Sequence, residues 1–327
     1  MAKTNEPWGK TVAVEFEDGI AWVYFNRPEK RNAMSIELNR EMRATIEHLA
    51  TDDRCRVLVL SGKGAAFAAG MDLQDYFRAT DNAPDTTLLQ VRRETEEWQW
   101  RWLRMYPKAT IAMINGWCFG GAFAPMVSCD LAIAAEEATF GLSEINWGII
   151  PGGNASKAMV DLCGQRATLY YAMTGEPFDG KKAAEMGLVN EAVPLAQLKD
   201  RVRSLARTLL EKNDTTLRGV KVTVKRIAEM DWDTSADYLY AKISEAIHLG
   251  GGANRKGAMK AFLDDKKFKP GVQNYSDKGV SDFGVPTVKK AAAKKPAGKK
   301  TAAKKTAAKS AAKAAGASAR KAAGGKK

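Results

Sequence analysis

Three short segments carry the residue types best suited to chemistry. They are Phe67-Ala68-Ala69-Gly70-Met71-Asp72-Leu73, Asn115-Gly116-Trp117-Cys118-Phe119-Gly120-Gly121-Ala122, and the run Phe-Gly-Leu-Ser-Glu-Ile-Asn-Trp-Gly-Ile-Ile-Pro-Gly at 140–152. In the first two, small residues follow an apolar run and let a ligand approach the backbone. Paired glycines at a helix start leave backbone N–H groups without intrahelical acceptors, and such donors can hold a developing oxyanion. Two loops of this kind could converge on one carbonyl oxygen. Taken singly, the first loop reads equally well as a strand-to-helix turn capped by Asp72. The third segment sets Glu144 among Leu142, Ile145, Trp147, Ile149 and Ile150. Desolvation there would raise the carboxyl pKa toward values useful for proton transfer, whereas a capping or solvent-facing Glu144 would do no chemistry. Metal chemistry has little to work with: His48 and His248 stand far apart, and Cys55, Cys118, Cys129 and Cys163 show no short ligand spacing.

The elements that must position these loops follow from periodicity. Residues 11–16 and 21–25 alternate on either side of Glu17-Asp18-Gly19-Ile20, which predicts a hairpin. A helical pattern runs from Ser35, a suitable N-cap, to about residue 49, followed by a buried strand at 56–60. Next come a helical pattern near 90–106, a strand at 110–114, a Gly-rich turn, a helix at about 121–128 and a strand at 131–134. Strand and helix alternating in this way predict an α/β body with parallel pairing through crossovers. Beyond Pro194 only helical patterns remain, at about 195–211, 215–230, 234–249 and 254–263, with no further strand signal. Helices with apolar faces pack on the body or on a sister subunit, so oligomerisation is expected.

The order NRPEKRNA, FAAGMDL, NGWCFGG and FGLSEINWGIIPG resembles the crotonase, or enoyl-CoA hydratase/isomerase, superfamily over about residues 10–268. That resemblance implies a crotonase-like spiral of ββα turns over 1–194, a helical trimerisation region over 195–269, and a linker and disordered basic tail over 270–327. It also implies a CoA thioester whose enolate oxygen is held by the backbone N–H groups of Met71 and Gly121. Within the superfamily the chain is most similar to the hydroxycinnamoyl-CoA hydratase-lyases, through Trp98-Gln99-Trp100, Met105-Tyr106, the run 111–121, the run 143–148 and Asp237-Tyr238-Leu239-Tyr240-Ala241-Lys242. The implied activity is hydration and retro-aldol cleavage of 4-hydroxycinnamoyl-CoA thioesters (feruloyl, 4-coumaroyl, caffeoyl) to an aromatic aldehyde such as vanillin plus acetyl-CoA.

Carried over by motif, Glu144 is the acid-base group, and Tyr76 and Tyr240 hold the phenolic oxygen, Tyr240 from a neighbouring subunit. Ordinary hydratases of the superfamily carry a second glutamate where this chain has Ala124, and the lyases carry a serine there. Simple two-carboxylate hydration is therefore not expected. CoA is expected along the backbone of Ala66 and Ala68, with its phosphates near Arg27, Lys30 and Arg31, and with Phe262 and Lys267 closing the site. A homotrimer or dimer of trimers follows from the same resemblance, with no metal and no cofactor beyond the CoA of the substrate.

The chain has 327 residues and a net charge of +13, but the charge is uneven. Residues 289–327 hold 14 Lys and Arg and no acid, including lysine pairs from Lys289-Lys290 onward at five-residue spacing. The remaining 288 residues are near neutral, so the basic pI says nothing about what the body binds. Ala, Lys, Gly, Ser and Thr leave that tail nothing to bury, and it is expected to be disordered when free. Fourteen cations without aromatic side chains suit non-specific phosphate contacts with nucleic acid; a solubilising tail is the alternative. A crotonase-fold nucleic-acid binder and an isomerase acting on another acyl-CoA are the competing functions. No stretch approaches a membrane span and no apolar leader follows a basic start, which points to the cytoplasm.

Overall fold

The computed structural model describes residues 8–250, 253–271, 273–276 and 279–282. The chain parts into two units, Met1–Val285 and Pro286–Lys327, and the described residues all belong to the first. The basic tail lies outside them.

Strands β1 (Val12–Glu17) and β2 (Ile20–Phe25) pair antiparallel around Asp18-Gly19, both at positive φ, the turn that matches strand twist. Helix α1 (Ile36–Leu49) begins where the Ser35 hydroxyl oxygen accepts from Leu38 N–H, as its sequence predicts. Three turns of a spiral follow. Each consists of a strand in a large sheet, a short loop, a strand in a small sheet, and a helical return. The first is β3 (Val57–Gly62), β4 (Ala66–Ala68) and α2 (Asp85–Glu96). The second is β5 (Ala109–Ile114), β6 (Trp117–Phe119) and α3 (Phe123–Ser128). The third is β7 (Leu131–Ala135), β8 (Thr139–Gly141) and α4 (Ala155–Thr174), the last broken at Gly164. Then come β9 (Phe178–Asp179), α5 (Gly180–Glu185) and β10 (Glu191–Val193).

The large sheet runs β1-β2-β3-β5-β7-β10 and is parallel from β2 onward; the small sheet runs β4-β6-β8-β9. Because β3 is buried along its whole length, its sequence Val-Leu-Val-Leu is a continuous apolar run rather than an alternating one. The consequence for the site comes from the small sheet. Strands β4, β6 and β8 lie side by side and parallel, so the three loops leaving their carboxyl ends emerge together. Those loops begin at Ala69, Gly120 and Leu142, the three segments with chemical potential.

Helices α6 (Leu195–Leu210), α7 (Asp214–Ile227), α8 (Trp232–Gly250) and α9 (Ala253–Leu263) match the expected helices to within a few residues. Helix α7 is fixed to the body by two half-buried lysines sharing one carboxylate. Lys221 Nζ lies 2.7 Å from Asp130 Oδ2 and donates to the carbonyls of Tyr106 and Lys108; Lys225 Nζ lies 2.7 Å from Asp130 Oδ1 and donates to those of Arg104 and Ser128. Against the expectation of helices alone, β11 (Gln273–Ser276) and β12 (Gly279–Asp282) form an antiparallel pair. Their sequences, Gln-Asn-Tyr-Ser and Gly-Val-Ser-Asp, lack the apolar alternation that signals a strand. Among the described residues, no helix is long and apolar enough to cross a membrane.

Candidate active site

Directly after β4, Met34 and Met71 form an isolated parallel bridge: Met34 N–H donates to Gly70 O at 2.8 Å, and Asp72 N–H donates to Met34 O at 3.0 Å. In such a bridge Met71 turns its own N–H away from Met34. It faces the Gly120-Gly121 turn after β6, where a Cβ built on Gly121 would lie 3.5 Å from Met71 N and 2.8 Å from Met71 Cγ. Gly121 N–H belongs to the first turn of a 3-10 segment leading into α3, so it has no acceptor within its own helix. Asp72 caps the π-helical turn Leu73–Arg78, its Oδ1 accepting from Gln74 and Asp75 N–H. The capping reading of the first loop therefore holds, and the proposed donor, Met71 N–H, sits on the residue before the cap.

Glu144 follows β8 on the short 3-10 turn Ser143–Trp147. Its carboxylate reaches toward Gly120, where a Cβ would lie 3.0 Å from Oε1; that glycine is at φ +50. A side chain at 120 would both strain the backbone and displace the carboxylate. Glu144 Oε2 is buried and has no hydrogen-bond partner. Burial holds the carboxyl above its ordinary range, with a smaller opposing contribution from its own backbone N–H.

These groups open on a cavity of about 670 Å³. Met71, Gly120, Gly121 and Glu144 line one part of it, and Tyr76, Thr95 and Gln99 another. Trp117, Trp147 and Ile150 give the mouth an apolar wall, with the Arg31 guanidinium 4.4 Å from the Trp117 ring centre. Tyr76 sits on the π-helical turn, and burial pushes its phenol up, so it is a neutral hydrogen-bonding group at ordinary pH. A polar tip among apolar walls is the usual form of a site that orients a ligand. Among the described residues no cluster of three or more His, Cys, Asp or Glu side chains could hold a metal.

Other expected residues stand elsewhere. The Arg27 guanidinium lies 2.8 Å from both Asp72 and Asp75 and donates to Ala33 O, and Lys30 and Arg31 are the exposed cations of the trio. Ala66 and Ala68 are buried in β4 beside the loop that begins at Ala69. Ala124 is buried on α3, with its Cβ 3.9 Å from where a Cβ on Gly153 would be, under the cavity wall rather than on it. Tyr240 on α8 is 80% exposed in the single chain, and neither it, Phe262 nor Lys267 lines the cavity. Gln99, Thr95, Arg92 and Glu96 line it without having been singled out as site residues. Their spacing of three or four along one helical face is the signal that could have found them.

A spiral of two-strand turns with three loops meeting at one edge of the small sheet is the architecture of the enoyl-CoA hydratase/isomerase family, and the chain belongs to that family, whose model matches residues 15–274. It shares this fold with an enoyl-CoA hydratase from Bacillus anthracis (24% identity, TM-score 0.71, covering 78% of this chain and 96% of that one) and one from Shewanella pealeana (26%, 0.69, 78% and 94%). It is 59% identical over 272 residues to the hydroxycinnamoyl-CoA hydratase-lyase of Pseudomonas fluorescens, spanning 83% of this chain and 99% of that protein.

Proposed function

We propose that the chain is a carbon-carbon lyase that hydrates 4-hydroxycinnamoyl-CoA thioesters and cleaves the product to an aromatic aldehyde and acetyl-CoA. The observation that carries this reading is Glu144, whose Oε2 is buried without a hydrogen-bond partner, reaching toward the Gly120-Gly121 turn, where a Cβ on Gly121 would lie 3.5 Å from Met71 N. The extent of identity with a hydroxycinnamoyl-CoA hydratase-lyase supports the choice of substrate.

Glu144 takes a proton from water as the oxygen bonds to Cβ, and the double-bond electrons move onto the thioester oxygen. Met71 and Gly121 N–H stabilise that enolate. Glu144 returns the proton to Cα, giving a β-hydroxy thioester. It then removes the hydroxyl proton; the O–H electron pair left on oxygen becomes the second bond of the aldehyde carbonyl, and the Cα–Cβ pair becomes the acetyl-CoA enolate on the same donors. Protonation at Cα restores Glu144. Water is the only co-reactant, and the scheme calls on no metal or redox cofactor. Tyr76 orients the phenolic oxygen, joined by Tyr240 of a neighbouring subunit in a trimer or dimer of trimers, an assignment supported by the uncovered faces of α8 and α9. Lys30 and Arg31 lie toward the CoA phosphates.

The division into a core over 1–194, a helical region over 195–269 and a linker with a Lys/Ala-rich tail over 270–327, with residues 289–327 contacting nucleic-acid phosphates in the cytoplasm, completes the reading; the charge of 289–327 supports it. Incubation with feruloyl-CoA should release vanillin and acetyl-CoA in equal amounts, and Glu144→Gln should lower that rate by about 10² to 10⁴. Near-normal turnover by the variant would remove Glu144 from the mechanism. No aldehyde from any 4-hydroxycinnamoyl thioester would refute the reading.

A further inference from the structure

Asn39, Trp98 and Gln99 form a buried polar knot beside the Met71 loop. The Trp98 indole N–H can only donate, and it donates to Asn39 Oδ1 at 2.9 Å. The Asn39 amide nitrogen donates to Ser35 O, also at 2.9 Å. Groups with a single role thereby assign both ends of Asn39. Gln99 meets the same Oδ1 at 3.1 Å, so the atom it presents is its amide nitrogen. That nitrogen also lies 3.5 Å from Met34 Sδ and 3.7 Å from Met71 Sδ. Met34 and Met71 are the two residues of the isolated bridge that turns Met71 N–H toward Gly121. A single amide nitrogen, its direction set by Asn39, therefore spans both sides of that bridge.

We propose that Gln99 is a positioning residue: by holding Met34 and Met71 in register it fixes the direction in which Met71 N–H meets the thioester oxygen. The proposal rests on the thioester reading above and adds a residue that acts through Met71 rather than on substrate. Contacts from N–H to sulfur are individually weak; with one N–H given to Asn39 Oδ1, the other is shared between the two sulfurs, on a residue only 3% exposed, where losing them would leave that donor unsatisfied. Deleting one oxyanion donor outright lowers kcat by about 10² to 10³. Loosening its support should lower it by roughly tenfold or more, because misplacement within an ångström is enough to forfeit much of the gain.

The probe is feruloyl-CoA bound to Glu144→Gln enzyme, whose conjugated carbonyl absorbs further to the red when its oxygen is strongly hydrogen-bonded. In that background Gln99→Met, similar in shape but without a donor, should still bind the probe and lose most of the red shift at saturation. Met71→Leu conserves volume and keeps the backbone N–H while removing the sulfur, so it guards against a misfolded first variant and should lose part of the shift. In the enzyme with Glu144 intact, Gln99→Met should lower kcat roughly tenfold or more at nearly constant KM. A folded Gln99→Met or Met71→Leu enzyme that keeps the full red shift overturns the assignment, even if its turnover falls, since the carbonyl would then be held as before. If the probe shows no red shift with Gln99 and Met71 both present, the thioester reading fails and takes this proposal with it.

Discussion

Replacing Glu144 with glutamine should make the protein more stable at neutral pH while removing its activity. The carboxylate is drawn out of water by the wall around it, and Oε2 has no partner. Its folded-state pKa is therefore raised above the value of 4.5 that applies when the chain is unfolded. A raised carboxyl pKa means that the native state favours the protonated form: its contribution is fully present below the unfolded pKa and is lost as pH rises through the folded one. Above that folded value the native protein carries an ionised group held at a disadvantage. An unsatisfied buried polar group costs about 1–3 kcal/mol, and more when charged. Glutamine keeps the shape and loses only the charge, so relief on the order of 1 kcal/mol is expected, which for a body of this size raises Tm by roughly 2–4 °C. Thermal unfolding of both proteins from pH 4 to pH 8 provides the assay. The Tm difference should be largest at the alkaline end and shrink toward zero as the pH falls through the window between the raised pKa and the ordinary carboxylate value. A variant less stable than the parent at pH 7, or a difference that ignores pH, would show that the carboxylate is satisfied in the native protein and would remove the desolvation argument.

Wild-type enzyme should turn over cinnamoyl-CoA far more slowly than 4-coumaroyl-CoA, and Tyr76→Phe should narrow that preference, because a buried hydrogen-bonding group rejects the analogue that leaves it unpaired; equal wild-type rates on the two thioesters would disprove the role of Tyr76. Ala124→Ser should raise turnover without changing the product, as read by aldehyde release, and an unchanged rate would mean that residue 124 is too far beneath the wall to touch the reaction. Asp130→Ala should destabilise the fold by about 3–5 kcal/mol in equilibrium urea unfolding, since it strands the Lys221 and Lys225 ammonium groups in a buried site; a change below about 1 kcal/mol would show that water reaches them. Removing residues 286–327 should abolish binding to DNA duplexes of unrelated sequence and leave aldehyde release intact. The full chain should lose roughly 10³ to 10⁵ in duplex affinity between about 50 and 200 mM salt if six to ten phosphates are neutralised; salt-insensitive binding would refute an electrostatic tail.

The glycine loops at 70 and 120–121 and the apolar frame of Glu144 were legible because each depends on residue type over a few positions. The helices after Pro194 were legible because their apolar residues recur at helical spacing. The small sheet was not: β4, β6 and β8 are three residues each, shorter than any window in which alternation can be distinguished from chance. Helix α4 escaped notice because Gly164, at φ 80, interrupts it and its apolar residues spread around both halves. The same limit hid Asn39 and Gln99, since buried polar residues that satisfy one another carry no periodic signature. The pairing of Arg27 was hidden as well, since only the folded chain brings Asp72 and Asp75, more than forty positions away, to its guanidinium.

Both proposed enolate donors belong to the main chain, at Met71 and Gly121, while the surfaces that face the rest of the substrate, at Tyr76, Thr95 and Trp147, are side chains. Among point mutations only a change to proline removes a peptide N–H, whereas any change alters a side chain, so the component common to every thioester reaction is sheltered from most genetic change. The component that selects the acyl group is open to it. Divergence of such a site toward new substrates can therefore proceed one residue at a time on the outer wall, without passing through a form that has lost the means to stabilise an enolate.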